Sequence, residues 1–258
     1  MTIASQLAAT NLSVNLNKVA LVRNQRDGKG PNVVRAARCV IEAGANGITV
    51  HPRQDGRHIR TRDVTDLARL LRDEPELDVE FNVEGYPSTE FVALIRDVAP
   101  TQATLVPDSP NVLTSDQGWD LSGDTVAMLR PIIEDLRQRG IRVALFMEAN
   151  TNGMSHIGAN RIELYTGPYA EAFEQGNHER LLASYISAAR TARDCGLGVN
   201  AGHDLNLDNL PTFCDAIPWL AEVSIGHALI TDALWRGLDK VVQDYRRALG
   251  TAAEIVPI

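Results

Sequence analysis

The stretch PNVVRAARCVIEAGANGITVHPRQDGRHI (31–59) holds one complete structural unit. Its first part, 31–43, opens with proline near a first turn and closes at Gly44, the start and stop signals of a helix. The GAN that follows is turn chemistry of the kind that joins a helix to a strand. GITVH (47–51) is a short β-rich run, and the polar HPRQDGRHI leads away from its end. Helix, tight turn, strand and polar loop together make one α/β repeat, and the rest of the chain repeats it.

Seven further runs read as strands: LSVNL (12–16), DVEFNVE (78–84), QATLV (102–106), RVALFME (142–148), RIELY (161–165), LGVNA (197–201) and AEVSI (221–225). Several are nearly continuous in apolar residues, as a parallel sheet covered by helices requires. Helical stretches fall at 61–72, 88–98, 124–139, 178–195 and 227–249; between the fifth and sixth strands only a stunted helix fits, at 151–158. Doubly wound sheets alternate in the same way. Eight units in 258 residues, with no G-x-G-x-x-G turn after the first strand, favour a (β/α)₈ TIM barrel with extra helices, one domain over 1–258.

Composition narrows the function. Hydrophobic residues make up 44%, as in a folded globular chain, and the net charge of −8 speaks against nucleic acid or an anionic membrane as partner. No segment approaches the roughly 18 apolar residues of a membrane span, and the N-terminus lacks a basic start before an apolar run. Cys39, Cys195 and Cys214 make an odd, sparse set that suits a reducing cytosol; Cys39 and Cys195 read as packing residues of helices. A cytoplasmic protein is the expectation.

In a barrel the carboxyl ends of the strands converge on one mouth, where catalytic side chains gather. Four of the six histidines, His51, His58, His203 and His227, stand at or just beyond such ends. The first strand leads to Asn15, Asn17 and Lys18, with Arg23 and Arg26 in the loop beyond. The second leads to His51, Arg53 and His58, the third to Glu84, and the fourth towards Thr114. The sixth carries Glu163 and ends at Thr166, the seventh gives Asn200, Gly202, His203 and Asp204, and the eighth gives Gly226 and His227. Two histidines and two carboxylates at one mouth form a general acid–base set for neutral pH. A carboxylate inside a strand, as at Glu163, needs a partner when buried. For His58 and His227 an ordinary hydrogen-bonded structural role is the competing reading, and for Glu84 an exposed strand end. Glu80, in the same run as Glu84, reads as an acidic residue without special meaning. The turns NAGHD (200–204) and SIGHALI (224–230), after strands seven and eight, suit a phosphate held by backbone N–H groups and a helix start. Arg26, Arg53 and Lys18 are candidates for a second anion, against the alternative of solvated charges. A Schiff-base aldolase is disfavoured, with only Lys18 available as its lysine. A zinc barrel is also disfavoured because His51-Pro52-Arg53 stands where H-x-H is expected, although His51, Glu84, His203 and His227 could still assemble a metal site.

At these residues the chain resembles the pyridoxine 5′-phosphate synthase family. The matching segments are VNLNKVALVRNQRDG (14–28), AGANGITVHPRQDGRHI (43–59), FNVEGYP (81–87), LVPD with Thr114 beyond it, RIELYTGPYA (161–170), the region around VNAGHDL (199–205) and VSIGHALI (223–230). They span nearly the whole chain in the family's order. The resemblance implies a (β/α)₈ barrel with extra helices, assembled as a homo-octamer. It implies a ring-forming transferase that condenses 1-deoxy-D-xylulose 5-phosphate with 3-amino-2-oxopropyl phosphate, giving pyridoxine 5′-phosphate, phosphate and water, with no metal or organic cofactor. By it, His51 and Glu84 match proton acceptors, His203 a proton donor and Glu163 a carboxylate that stabilises a transition state. Asn15, Arg26, Arg53, His58, Thr114, Gly226 and His227 match substrate contacts. Two sites depart from the commonest pattern: Asn17-Lys18 replaces an Asp-His pair, and Asp204 replaces a glycine. Lys18 is expected to bind phosphate or to pair with Asp204, and Asn17, Lys18 and Asp204 are taken as substrate-binding positions. Two readings compete: another phosphosugar aldolase or isomerase on the same barrel, metal-dependent or not, and a silent barrel that only binds phosphorylated metabolites.

Overall fold

A computed structural model of the chain describes residues 9–26, 28, 30–108, 115, 117–121, 123–150 and 152–250. Eight parallel strands close into a barrel in sequence order, each paired with its chain neighbours and β1 with β8. The strands are β1 (Asn11–Asn15), β2 (Gly47–Val50), β3 (Glu80–Gly85), β4 (Gln102–Leu105), β5 (Arg142–Met147), β6 (Arg161–Tyr165), β7 (Gly198–Gly202) and β8 (Glu222–Ile225). The described helices are α1 (Asn17–Arg23), α2 (Val33–Glu42), α3 (Thr61–Asp73), α4 (Thr89–Val98), α5 (Gly123–Gln138), α6 (Gly167–Glu174), α7 (Glu179–Asp194), α8 (Leu210–Ala216), α9 (His227–Arg236) and α10 (Leu238–Ala248).

All eight expected strands form, within two residues of the sequence reading at each end. Their alternation sets the core. Leu12, Val14, Ile48, Val50, Phe81, Val83, Leu105, Val143, Leu145, Ile162, Leu164, Val199, Val223 and Ile225 are buried in the apolar layer shared with the helices. The intervening positions are polar and bond to one another across the barrel. Ser13 and Thr49 share a hydrogen bond of 2.7 Å, Asn82 donates to Thr49, and Thr104 donates to Asn82 (3.0 Å) and Glu163 (3.3 Å). Nearer the amino ends of the strands, Arg142 bonds Glu80 at 2.6 Å, Arg161 reaches Gln102 and Asn200, and Asn200 donates to Glu222. Glu80 is thus the acid of a charged network inside the barrel and not an incidental strand residue. Most buried polar groups have such partners, although Gln102 Nε2 in this layer has none among the described residues.

Caps follow the local sequence. Asn32 accepts from the N–H of Arg35 to start α2, Ser88 accepts from Phe91 to start α4, and Asp63 accepts from Arg60 at the start of α3. Between β5 and β6 the expected stunted helix is a single 3₁₀ turn at Met154–His156. The expected helix over 227–249 is two helices, because Gly237 takes φ 89° and ψ 144°, outside helical space. Cys195 caps α7 exposed to solvent, so it is not the packing residue expected; Cys39 is half-buried in α2.

One departure shapes the mouth. The segment after β1 folds as α1 and is not the loop expected. Arg23 on α1 forks onto Asp63 at 2.5 and 2.9 Å and onto the carbonyl of His58, and Asn24 donates to the carbonyls of Arg57 and His58. Arg23 is therefore a strut that pins the loop after β2 across the barrel mouth.

Candidate active site

A cavity of about 460 Å³ opens at the carboxyl ends of the strands. Asn15, Asn17, Lys18, His51, Arg53, His58, Glu84, Glu163, His203, Asp204, Gly226 and His227 all line it. Twelve of the fourteen expected site residues are thus brought together. Arg26 is exposed past the end of α1 and does not line the cavity, and Thr114 lies outside the described residues. Arg57, Ser115, Phe146 and Ser224 also line it and were not singled out. Arg57 sits inside the HPRQDGRHI run, and Ser224 shares a strand face with Gly226, so period-two reading of β8 could have found it. Nothing in the sequence marks Ser115.

His51 closes β2. Its backbone N–H donates to Asn17 Oδ1 at 2.9 Å, and Asn17's own N–H donates to Asn15 Oδ1, so the first residues of α1 fix the end of β2. Nδ1 of His51 lies 3.8 Å from Glu84 Oε2, with both side chains buried. Burial, then the nearby charges of Arg53, His58 and His203, holds the imidazole's pKa well below its ordinary value. Burial, then Glu163, Asp108 and Glu222, pushes Glu84 well above the usual carboxylate range. Both directions disfavour charge, so burial works against an ion pair between the two side chains.

Glu163 stands on β6, 3% exposed. Burial pushes its pKa up to about 7, against the opposing pull of His203 and of the Thr104 hydroxyl. His203 follows β7 at φ 88°, with its ring edge-on to Tyr165 at 5.2 Å and 6.2 Å from Phe146. His58 accepts the N–H of Ile59 on Nδ1 at 2.9 Å, which leaves its proton on Nε2. Burial and the positive charges of Arg53, Lys18 and Arg57 lower it to about 4, so it stays neutral at physiological pH. The backbone bond thus fixes the His58 ring, which lines the cavity.

Arg53 is neither a solvated charge nor an uncommitted clamp. Its side chain is 8% exposed and meets Asp108 at 2.6 Å, while Ser115 donates a short hydrogen bond to the same carboxylate. Gly226 caps α9, and a Cβ there would fall 3.1 Å from the Asn15 Cβ, so glycine lets β1 and β8 approach where His227 begins the helix. The first turn of that helix offers N–H donors suited to an anion. Among the described residues no group of three or more His, Cys, Asp or Glu is placed to hold a metal ion, and no helix is long and apolar enough to cross a membrane.

The family described as pyridoxal phosphate biosynthesis protein PdxJ matches residues 12–251. A pyridoxine 5′-phosphate synthase of Bacteroides thetaiotaomicron is 50% identical over 243 residues, covering 93% of this chain and 99% of the relative. One from Albidiferax ferrireducens is 51% identical over 248 residues, covering 93% and 97%. Among solved structures, N-(5′-phosphoribosyl)anthranilate isomerase from Pyrococcus furiosus superposes with a TM-score of 0.58 at 11% identity, covering 94% of this chain and 100% of that one. At that identity the likeness is one of fold alone.

Proposed function

From the premise that the chain belongs to the PdxJ family of pyridoxal phosphate biosynthesis proteins and makes pyridoxine 5′-phosphate by a ring-forming condensation, we propose how its residues divide the work. The observation that carries the proposal is the convergence of His51, Glu84, Glu163 and His203, from four strands, on one cavity beside the start of α9.

The substrates are 1-deoxy-D-xylulose 5-phosphate and 3-amino-2-oxopropyl phosphate. An amine attacks a ketone, water and one phosphate leave, and a carbon–carbon bond closes the ring. Each step moves a proton, so donors and acceptors must both be at hand. His51, held neutral, is the acceptor. The imidazolium it becomes lies 3.8 Å from Glu84 and weakens that carboxyl's hold on its proton, so Glu84 accepts a proton in a later step only after it has released its own. His203 is the donor. Glu163, poised near neutrality, supplies negative charge to the cationic species formed when water is lost. Gly226 and His227 receive one phosphate, and Lys18, with Asn15, Asn17 and His58 around it, faces the other reactant. Arg53, anchored by Asp108, gives a fixed positive charge on the opposite wall. Arg26 and Thr114 complete the proposed contacts as rim groups.

The test is direct. EDTA-treated protein is incubated with both phosphorylated substrates, and pyridoxine 5′-phosphate is followed by mass and absorbance. Product is expected, with His203→Ala abolishing it and Lys18→Ala raising a Michaelis constant. A folded His203→Ala enzyme with wild-type turnover would remove His203 from the donor role. Wild-type Michaelis constants in Lys18→Ala would remove Lys18 from the site. We further propose a cytoplasmic homo-octamer. The exposed Leu234 and Trp235 at the end of α9 are candidate contacts between copies, and sedimentation equilibrium tests the count.

A further inference from the structure

His203 and Asp204 are adjacent residues with side chains, and both lie at positive φ, 88° and 57°. Left-handed backbone is strained for a residue with a Cβ, and such strain persists only where the surroundings over-determine it. Here they do. Thr166, fully buried at the end of β6, offers its hydroxyl to the carbonyls of Gly202 (2.7 Å) and His203 (2.5 Å), and its N–H also donates to Gly202. Asn209, equally buried, donates through Nδ2 to the Asp204 carbonyl at 3.2 Å. The turn is tied at both ends to elements outside itself.

What the strained turn achieves is a specific contact. Asp204 Oδ2 lies 3.4 Å from His203 Nδ1, and both residues line the cavity. The ring also packs against the edge-on Tyr165 and against Phe146. Glycine would hold Asp204's backbone at no steric cost but would give His203 no carboxylate.

Resting on the proposed role of His203 as proton donor, we infer that Asp204 is a positioning residue: its carboxylate orients the His203 imidazole through Nδ1 and stabilises the imidazolium that donates the proton. The same carboxylate is held below the usual range, first by its hydrogen bond with His203, then by the charges of His203, His227 and Lys18. The charged and titratable groups around His203 come from five elements. They include Asp204 after β7, Glu163 and Tyr165 on β6, His51 at the end of β2 and, lining the same cavity, Lys18 on α1 and His227 on α9. The Lys18 ammonium on the same cavity opposes a positive His203, and Glu163, with its pKa pushed up to about 7, is only partly ionised near neutrality. Asp204 is the anion in contact with the ring, and removing it leaves the imidazolium less stable.

The experiment measures kcat, KM and the pH dependence of kcat/KM for wild type, Asp204→Asn, Asp204→Gly and His203→Ala, together with thermal midpoints. A donor must be protonated, so its loss appears as the alkaline limb of the profile. Both Asp204 variants are expected to move that limb to lower pH by roughly half a unit, the size of a half-exposed ion pair. They should lower kcat severalfold and keep KM within about twofold of wild type, a split that marks a transition-state effect. Asp204→Gly, relieved of strain, should melt no lower than wild type. An unmoved alkaline limb in both Asp204 variants, with His203→Ala inactive, overturns the inference and leaves the donor assignment intact. A raised KM with unchanged kcat overturns it in favour of a substrate contact. A lower melting point for Asp204→Gly overturns it in favour of a purely structural carboxylate. Full activity of His203→Ala removes the donor assignment, and the inference falls with it.

Discussion

The Glu163 carboxylate occupies the space that Gly202 leaves: a Cβ built on Gly202 falls 2.4 Å from Glu163 Oε1. β6 and β7 are paired neighbours with Glu163 opposite Asn200, so the acid and the glycine lean together one step along the strands. No ordinary Cβ contact is that short, and the same Cβ would also meet the carbonyl oxygen of Ser224 at 3.4 Å. Gly202→Ala must therefore move the carboxylate. Misplacing a reacting group by about 1 Å can cost on the order of 100-fold in rate, so kcat should fall at least tenfold while KM changes little. Overpacking should cost about 1–3 kcal/mol of stability. Steady-state kinetics on folded Gly202→Ala decides it, and an undiminished kcat would show that Glu163 needs no fixed position.

Asn17→Ala tests how the mouth is held. Its Oδ1 is the acceptor for the backbone N–H of buried His51, and a buried donor left without a partner costs about 1–3 kcal/mol. The variant should lose that much in denaturant titration and lose turnover as His51 loosens. Asn17→Asp keeps an acceptor oxygen and should recover the stability. Equal losses in both variants would mean that the amide acts through something other than this bond.

His58 gives a prediction for acid. Its pKa falls from 6.5 to about 4 on folding, chiefly through burial. The folded state resists its protonation, so the stability involved is full above pH 6.5 and lost as pH falls through 4. The loss is at most about 3 kcal/mol. His58→Asn, which cannot be protonated, should flatten the decline in unfolding free energy between pH 6.5 and 4. A decline of unchanged steepness would show that His58 is protonated as easily folded as unfolded.

Much of this was legible from the residues. The eight strand runs, the αβ turns and the polar residues at strand ends give the barrel and most of the cavity, because burial and alternation are local and periodic. The partners were not legible. Arg23 looks like any loop cation until α1 forms and sets it against Asp63 across the mouth, and Arg53 looks solvated until Asp108 and Ser115 close on it. Such contacts join segments 40 and 55 residues apart in sequence and leave no trace in spacing. The same is true inside the barrel, where Glu80 reads as a plain acidic residue and proves to be bonded to Arg142 from β5. The division of 227–249 was hidden because Gly237 within an otherwise helical pattern is compatible with a continuous helix.

That charged network governs the alkaline side of stability through Glu222. The residue is 1% exposed at the start of β8, and its Oε1 accepts from Asn200 Nδ2 at 3.1 Å. Burial, then Glu80, pushes its pKa from 4.5 up to about 8, with Arg161 opposing and Glu163 reinforcing. A carboxyl group that holds its proton more tightly folded than unfolded stabilises the fold fully below pH 4.5, and that contribution is lost as pH rises through 8. His58 acts in the opposite sense below 6.5; the two windows overlap between pH 4.5 and 6.5, where the opposing effects offset, so Glu222 alone lowers stability from pH 6.5 towards 8. Glu222→Gln retains the oxygen that accepts from Asn200 and cannot ionise. It should therefore match wild type near pH 4 and exceed it at pH 8.5 in urea titrations at fixed salt. A Glu222→Gln protein that is less stable than wild type at pH 8.5 would mean that the ionised carboxylate is needed by Arg161, and that the pair's attraction outweighs the penalty of burying it.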